Sequence, residues 1–528
     1  MEKPKPPALA HWLLTKILDE FYLEEFLGDL DEMFDERAAT RTLFVAQFLY
    51  WIDALHLIIG FSTSRVTKTA PDTMMLRNLL TMAWRNAVRQ KQFTFLNIFG
   101  LTLGVATCVT IGLYVYDELT YDTFHAKGDR IYRINQPLIW GNWDVPFSST
   151  GPNVAEALRT DAPEFEQVTR IMADGEQTIR ITTGQDAMLL TEKRYFLAEE
   201  NFFDVFSFEF ISGDPKTALK EPMSLAITQS TAKRFFGDAD PINKMIEVKQ
   251  KDGTWSTYTV RALLKDVPSK SHLQFDILAS LSSYSEMMKA HGWKWIFTSF
   301  STYGLVREGT NVANLEMKIQ SIPPKWAEAT TTRIFNQTLT EFTGGKPWRL
   351  YMQPLRDVYL GLPDYHRFGP SGNPQFVYIF GGIGVLVLVL SCINFMNLST
   401  ARSSIRAKEV GVRKVLGSQR YALVKQFIVE SVLYAAVSTW LALLLVQLST
   451  PLFNSVAGKN ISLFSHLSNP IFLGGVAVFI LLIGLAAGSY PAFYLSSFSP
   501  SQTLKGKITG GFRKKGIRNS LVVFQFTV

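Results

Sequence analysis

Residues 92–116 read QFTFLNIFGLTLGVATCVTIGLYVY, an uncharged run of 25 residues closed by Lys91 on one side and Asp117 on the other. A hydrocarbon core about 30 Å thick is crossed by roughly 20 apolar helical residues, so this run is long enough to span a bilayer. Three further stretches share its character: 376–401, ending at Arg402; 426–448, with one acid, Glu430, near its start; and 471–495. Long buried helices of a soluble core are the alternative, but four such runs, each bordered by a change of charge, favour membrane spans. With 47% hydrophobic residues, 19% charged residues and a mean hydropathy of +0.09, the chain is too polar for a bare bundle. The apolar residues are therefore segregated beside polar domains.

The borders set an orientation, because Lys and Arg collect on cytoplasmic flanks. Arg77, Arg85, Arg89 and Lys91 precede the first span without an acid, and Asp117, Glu118 and Asp122 follow it. The second and third spans are joined by seven basic residues against Glu409 alone, while 450–470 carries only Lys459 and His466. Six basic residues follow the fourth span. The N-terminus and the 402–425 loop are thus expected in the cytoplasm, and residues 117–375 outside it. The three inner strips, 77–91, 401–425 and 496–518, hold 17 basic residues against one acid, so the +7 net charge leaves −9 for the rest of the chain. The basicity reports topology and argues against a nucleic-acid partner.

Around the spans the sequence predicts three polar regions. Residues 1–70 read as a helical cytoplasmic prefix, with Leu13, Ile17, Leu27, Leu30 and Phe34 at helical spacing. The stretch from Leu43 to Phe61 has the length of a span, but a central aspartate costs about 3 kcal/mol on insertion, so Asp53 and His56 make it a second amphipathic helix, with a fifth span as the alternative. Residues 117–375 form a mixed α+β extracytoplasmic domain large enough for two lobes. Strand-like alternation marks 130–135, 177–182, 245–249 and 258–264, helical patterns mark 154–158 and 231–235, and 213–215 and 251–253 read as turns. Residues 496–528 are a basic linker followed by an apolar octet, which either begins a second copy of the same unit or is a simple apolar terminus.

Catalytic signatures are missing. There is no phosphate-binding G-x-x-x-x-G-K-[ST] loop, no G-x-S-x-G elbow and no C-x-x-C, and the seven histidines are scattered, so neither a catalytic residue nor a metal site is expected. Gly100-x-x-x-Gly104 and Gly484-x-x-x-Gly488 permit close helix packing, within the chain or across an interface with another helical bundle. In the inner loop, Ile405, Val412, Val415 and Leu416 can share one helical stripe among Arg406, Lys408, Glu409, Arg413 and Lys414. Such a helix lies on anionic lipid or meets a cytosolic partner.

The run CINFMNLSTARSSIRAKEVGVRKVLGSQRYALVKQFIVES, residues 392–431, closely resembles the permease subunits of FtsX-like and MacB-like ABC transporters where their second and third spans join. LRNLLTMAWRNAVRQKQFTFLNIFGLTLGVA (76–106), DRIYRI (129–134), NFFDVFSFEFISGDPKTAL (201–219), ITQSTAKRFFG (227–237) and VPSKSHLQFDIL (267–278) agree, and FLGDLDEMFDER (26–37) is similar to the small domain that precedes some of these permeases. The resemblance implies a non-enzymatic, multi-pass inner-membrane subunit that binds no cofactor itself; ATP and Mg would sit on a separate cytosolic ABC ATPase. It implies mechanotransmission, in which ATPase closure drives the spans and the outer domain, for export or extrusion of a hydrophobic, peptide or lipid-linked substrate. A transducer that activates an outer-compartment protein is the alternative. Arg406, Lys408, Glu409, Gly411, Arg413, Lys414 and Gly417 match the family's coupling segment. Membrane lipids and a second permease half or a homodimeric copy complete the expected partners.

Overall fold

The computed structural model describes residues 81–83, 85–137, 146–183, 186–284, 295–296, 298–361, 369–401, 403–467 and 469–498, with scattered positions between 6 and 54 and between 523 and 527. Among the described residues four helices are long and apolar enough to cross a membrane: α1 (Lys91–Leu119), α6 (Pro374–Ala401), α8 (Arg420–Ala457) and α9 (Pro470–Leu495). Each outruns the uncharged stretch that announced it. The largest extension is in α8, whose 38 residues give roughly 57 Å at 1.5 Å per residue, well beyond the hydrocarbon thickness. Pro451 is tolerated inside it.

The contacts divide the chain into two units, residues 1–106, 388–444 and 467–528 in one, and 107–387 with 445–466 in the other. The second unit contains the polar domain. Among the described residues its strands are β1 (Ile131–Pro137), β2 (Pro146–Phe147), β3 (Phe165–Ala173), β4 (Gln177–Thr183), β5 (Asp186–Glu192), β6 (Tyr195–Ala198), β7 (Phe210–Ser212), β8 (Ser224–Thr228), β9 (Met245–Lys249), β10 (Trp255–Leu264), β11 (Ile277–Ser280), β12 (Ser301–Val306) and β13 (Tyr351–Pro354). One sheet runs β13-β1-β12-β3-β6-β11-β8-β10-β9-β4-β5, so the domain is built on continuous pairing rather than on two separate sheets. β8 and β10 are parallel, as are β6 and β11; the other pairs are antiparallel. The turn at 251–253 closes the β9–β10 hairpin.

Helices α2 (Pro152–Asp161), α4 (Val312–Ile319) and α5 (Ile322–Phe335) cover part of this sheet, and Val154, Leu158, Leu315, Ile319 and Ile322 pack with Ile134, Val168 and Trp348. Helix α3 (Gln229–Phe236) supplies Ala232 and Phe235 to a second cluster with Ile246 and Val260. A third cluster gathers Phe202, Phe206, Phe208, Phe275 and Tyr303, so the aromatic run after Asn201 is core. Burying such a side chain contributes roughly 1.5–3 kcal/mol.

Gly304 in β12 is required by a close approach, since a Cβ there would lie 2.4 Å from Phe165 Cε1. Gly304→Val is expected to destabilise the full chain by roughly 1–3 kcal/mol, the usual cost of overpacking, read as a lower thermal midpoint. A midpoint unchanged from wild type would contradict that contact.

In the first unit, the described prefix residues from Leu27 to Ala54 are helical. Leu30, Phe34, Tyr50 and Ala54 are buried, Phe34 and Tyr50 meet edge to face at 5.7 Å, and Tyr50 Oη donates to Asp31. Asp53 receives Arg37 at 2.6 Å, so its charge is compensated. His56 lies outside the described residues, as does all of 499–522.

Candidate functional site

Between α6 and α8 stands α7, Ser403–Val415. Glu409 and Arg413 form an i,i+4 ion pair of 2.8 Å, and Arg413 and Lys414 in the last turn complement the helix dipole. Gly417, at φ +95°, ends the helix: Gly417 N–H donates to Lys414 O at 3.1 Å and Ser418 N–H to Arg413 O at 2.9 Å. That 5→2 and 6→1 pairing needs a left-handed residue, which glycine supplies without strain.

The inward face differs from the apolar stripe read in the sequence. Arg406, Ala407, Val410 and Gly411 are buried, whereas Val412, Val415 and Leu416 are exposed; the Ile405 side chain lies outside the described set. The reason is polar. Arg406 donates Nη2 to Glu430 Oε1 at 2.6 Å and Nη1 to Oε2 at 3.0 Å, and its guanidinium lies 5.8 Å from the Phe93 ring centre and 5.7 Å from that of Phe427. Burial works against the Arg406 charge, but Glu430 outweighs it and holds the pKa above the ordinary arginine value. Phe395, Ser399, Tyr434, Pro491 and Leu495 close around the pair and leave a void of about 10 Å³, room for no more than one water.

Two more basic residues are engaged in the same unit. Lys414 Nζ donates to Ser496 O and Phe498 O, both at 2.8 Å, capping the last turn of α9, and burial lowers its pKa. Arg413 also donates to Gln426 Oε1. Val410 packs with Leu423, Phe427, Ala492 and Leu495. The outward face keeps Lys408, Glu409, Val412, Val415, Leu416 and Gly417. Of the seven coupling-segment residues, Arg406, Gly411 and Lys414 thus turn toward the bundle and Arg413 bridges to it. Glu430, Phe93, Phe427 and Ser496 were missed in that set, although a lone acid in a span signals a buried partner.

The packing glycines fall within the first unit. A Cβ on Gly484 would come within 2.7 Å of Val432 Cα, and one on Gly488 within 2.6 Å of Ser431 Cβ, so this pair seats α9 on α8 of the same chain. A Cβ on Gly100 would meet Asn394 Nδ2 at 3.0 Å; Gly104 is buried.

A charged knot lies in the second unit. Lys459 is 2.5 Å from Glu118 Oε1 and 3.3 Å from Asp117, and donates to Tyr359 Oη at 3.1 Å; Tyr359 stacks on Tyr121 and donates to Glu118 at 3.0 Å. Burial opposes the ammonium, yet Glu118 and Tyr359 prevail and hold its pKa above that of a free lysine. Among the described residues no cluster of His, Cys, Asp and Glu suits a metal ion.

Residues 94–322 match the MacB-like periplasmic core domain, and residues 381–500 match the FtsX-like permease C-terminal domain. The chain thus carries a MacB-like periplasmic core and an FtsX-like permease segment. It is similar to the macrolide export ATP-binding/permease protein MacB of Acinetobacter baylyi, 21% identical over 431 residues, which cover 79% of this chain and 58% of that protein. The uncharacterized ABC transporter permease YknZ of Bacillus subtilis is 29% identical over 127 residues, 24% of this chain and 31% of that one. The periplasmic region of MacB from Actinobacillus actinomycetemcomitans aligns with 44% of this chain and 91% of its own, at 12% identity and a TM-score of 0.27. The FtsX/MacB-like chain thus spans little more than half the length of the A. baylyi relative.

Proposed function

We propose that this chain is the permease subunit of an ABC transporter, with α7 facing the cytosol as the segment on which a separate ATPase acts. ATP and Mg belong to that partner, and its closure is passed through the spans to the polar domain outside the membrane, driving export or extrusion of a hydrophobic, peptide or lipid-linked substrate. The observation that carries this reading is α7 itself. It presents Lys408, Glu409, Val412, Val415 and Leu416 outward from a loop between two spans while its other face is bound into the bundle. Exposed apolar residues rimmed by charge mark a protein contact. A cleft of about 800 Å³ in the polar domain, with Leu339, Trp348, Leu350 and Tyr351 among charged Glu316, Lys346 and Arg349, suits an amphipathic substrate.

The test is purification of the full chain from its native membrane with whatever P-loop ATPase accompanies it. Leu416→Asp is expected to weaken that association on the order of tenfold or more, since about 1.4 kcal/mol at an interface is tenfold. An unaltered association, or no ATPase at all, would refute the reading. Substrate-stimulated hydrolysis in vesicles separates transport from signalling to an outer protein.

A further inference from the structure

The function above leaves Arg406 and Glu430 without a task, since neither is available to a cytosolic partner. Their side chains are 11% and 4% exposed. A pair of this kind is a poor source of stability, because desolvating two charges offsets most of their attraction. What it supplies is geometry. A guanidinium meeting a carboxylate through two parallel hydrogen bonds fixes rotation as well as distance, which a point contact cannot do.

Here the fork joins α7 to α8 under two rings, Phe93 from α1 and Phe427 from α8, with Phe395 and Ser399 of α6 and Pro491 and Leu495 of α9 around it. Eight residues farther along α7, Lys414 grips the end of α9 through the carbonyls of Ser496 and Phe498. Val410, between them, sits in an apolar seat made by α8 and α9. A helix held near both ends and in the middle cannot swivel under a load applied to Val412, Val415 and Leu416 on its other side.

We infer that Arg406 and Glu430 are a positioning pair that makes α7 a rigid strut on α8, so that displacement of the outward face is delivered to the bundle undiminished. This rests on the permease reading above, but the rigidity can be measured without it.

Nitroxide labels at Val412→Cys on α7 and Leu444→Cys on α8, with Cys108 and Cys392 replaced by serine, report the distance between the two helices by pulsed electron resonance. In the full chain with its co-purified ATPase, the distance distribution is expected to be narrow and the same without nucleotide and in the ADP–vanadate state trapped after ATP hydrolysis. In Glu430→Gln, which leaves the guanidinium without its counter-charge, the width is expected at least to double, and nucleotide is expected to shift it. Arg406→Lys keeps both charges but loses the fork, and is expected to broaden the distribution even where Glu430→Gln fails to fold.

A wild-type distance that itself changes with nucleotide would overturn the strut, as would an Arg406→Lys distribution as narrow as wild type. Absence of any co-purifying ATPase would sink the permease reading alone, because the nucleotide-free widths still decide the pair.

Discussion

Lys459→Met is expected to destabilise the full chain by about 3–5 kcal/mol, because it strands Glu118 as a buried carboxylate without its cation. Asp117 keeps Lys270 at 3.2 Å, but Glu118, with a side chain 3% exposed, is left among the described residues with the Tyr359 hydroxyl. The thermal midpoint of detergent-purified protein is expected to fall by on the order of 10 °C. Glu118→Gln in the same chain removes the stranded charge and is expected to return part of that loss; a double variant no more stable than Lys459→Met would argue against the pairing. The folded-state pKa of Lys459 lies above its ordinary value of 10.5. Its contribution is therefore complete below about pH 10.5 and declines as pH rises through the folded value. Wild type should lose stability in that alkaline range, and Lys459→Met should lose less.

At the acid end the governing residue is His125. Its ring is buried among Phe124, Phe206 and Phe208, and Nδ1 accepts the Ser207 N–H at 3.1 Å. Burial pushes its pKa from 6.5 down to about 4; Asp122, 3.9 Å away, opposes the shift, and His272 adds to it. The unfolded chain takes up a proton near pH 6.5 and the folded one only near 4, so stability is full above 6.5 and falls as pH drops through that window. The loss amounts to about 3 kcal/mol at 1.36 kcal/mol per pKa unit. His125→Asn, which preserves an acceptor for Ser207, should flatten the difference in stability between pH 7 and pH 4 relative to wild type. Equal slopes for the two proteins would show that His125 does not govern this window.

What could be read from sequence followed from whether a residue's neighbours repeat with the element's period. The apolar helices were visible because lipid demands an unbroken run and charges mark its ends. β1, β4, β9 and β10 showed themselves by alternation, and β9 and β10 alternate in burial as well. β8, β11 and β12 did not: SLAIT, ILAS and STYGLV are buried at every position, so no polar face exists to alternate with. The inward face of α7 was hidden for a related reason. Glu430, twenty-four positions from Arg406, draws that charged residue into the interior, and a pairing at that distance has no local signature. The Lys459 knot was hidden in the same way, its carboxylate partners Asp117 and Glu118 lying more than three hundred positions earlier.

The order of strands has a consequence for synthesis. β1 is among the first strands made, yet it pairs with β12 and β13, Ile131 opposite Leu305 and Tyr132 opposite Pro354. At 5–20 residues per second a ribosome needs roughly 10–45 s to supply these two partners of β1. Through that interval the backbone groups that will meet β12 and β13 stand open, and the sheet closes only when the chain has nearly reached α6.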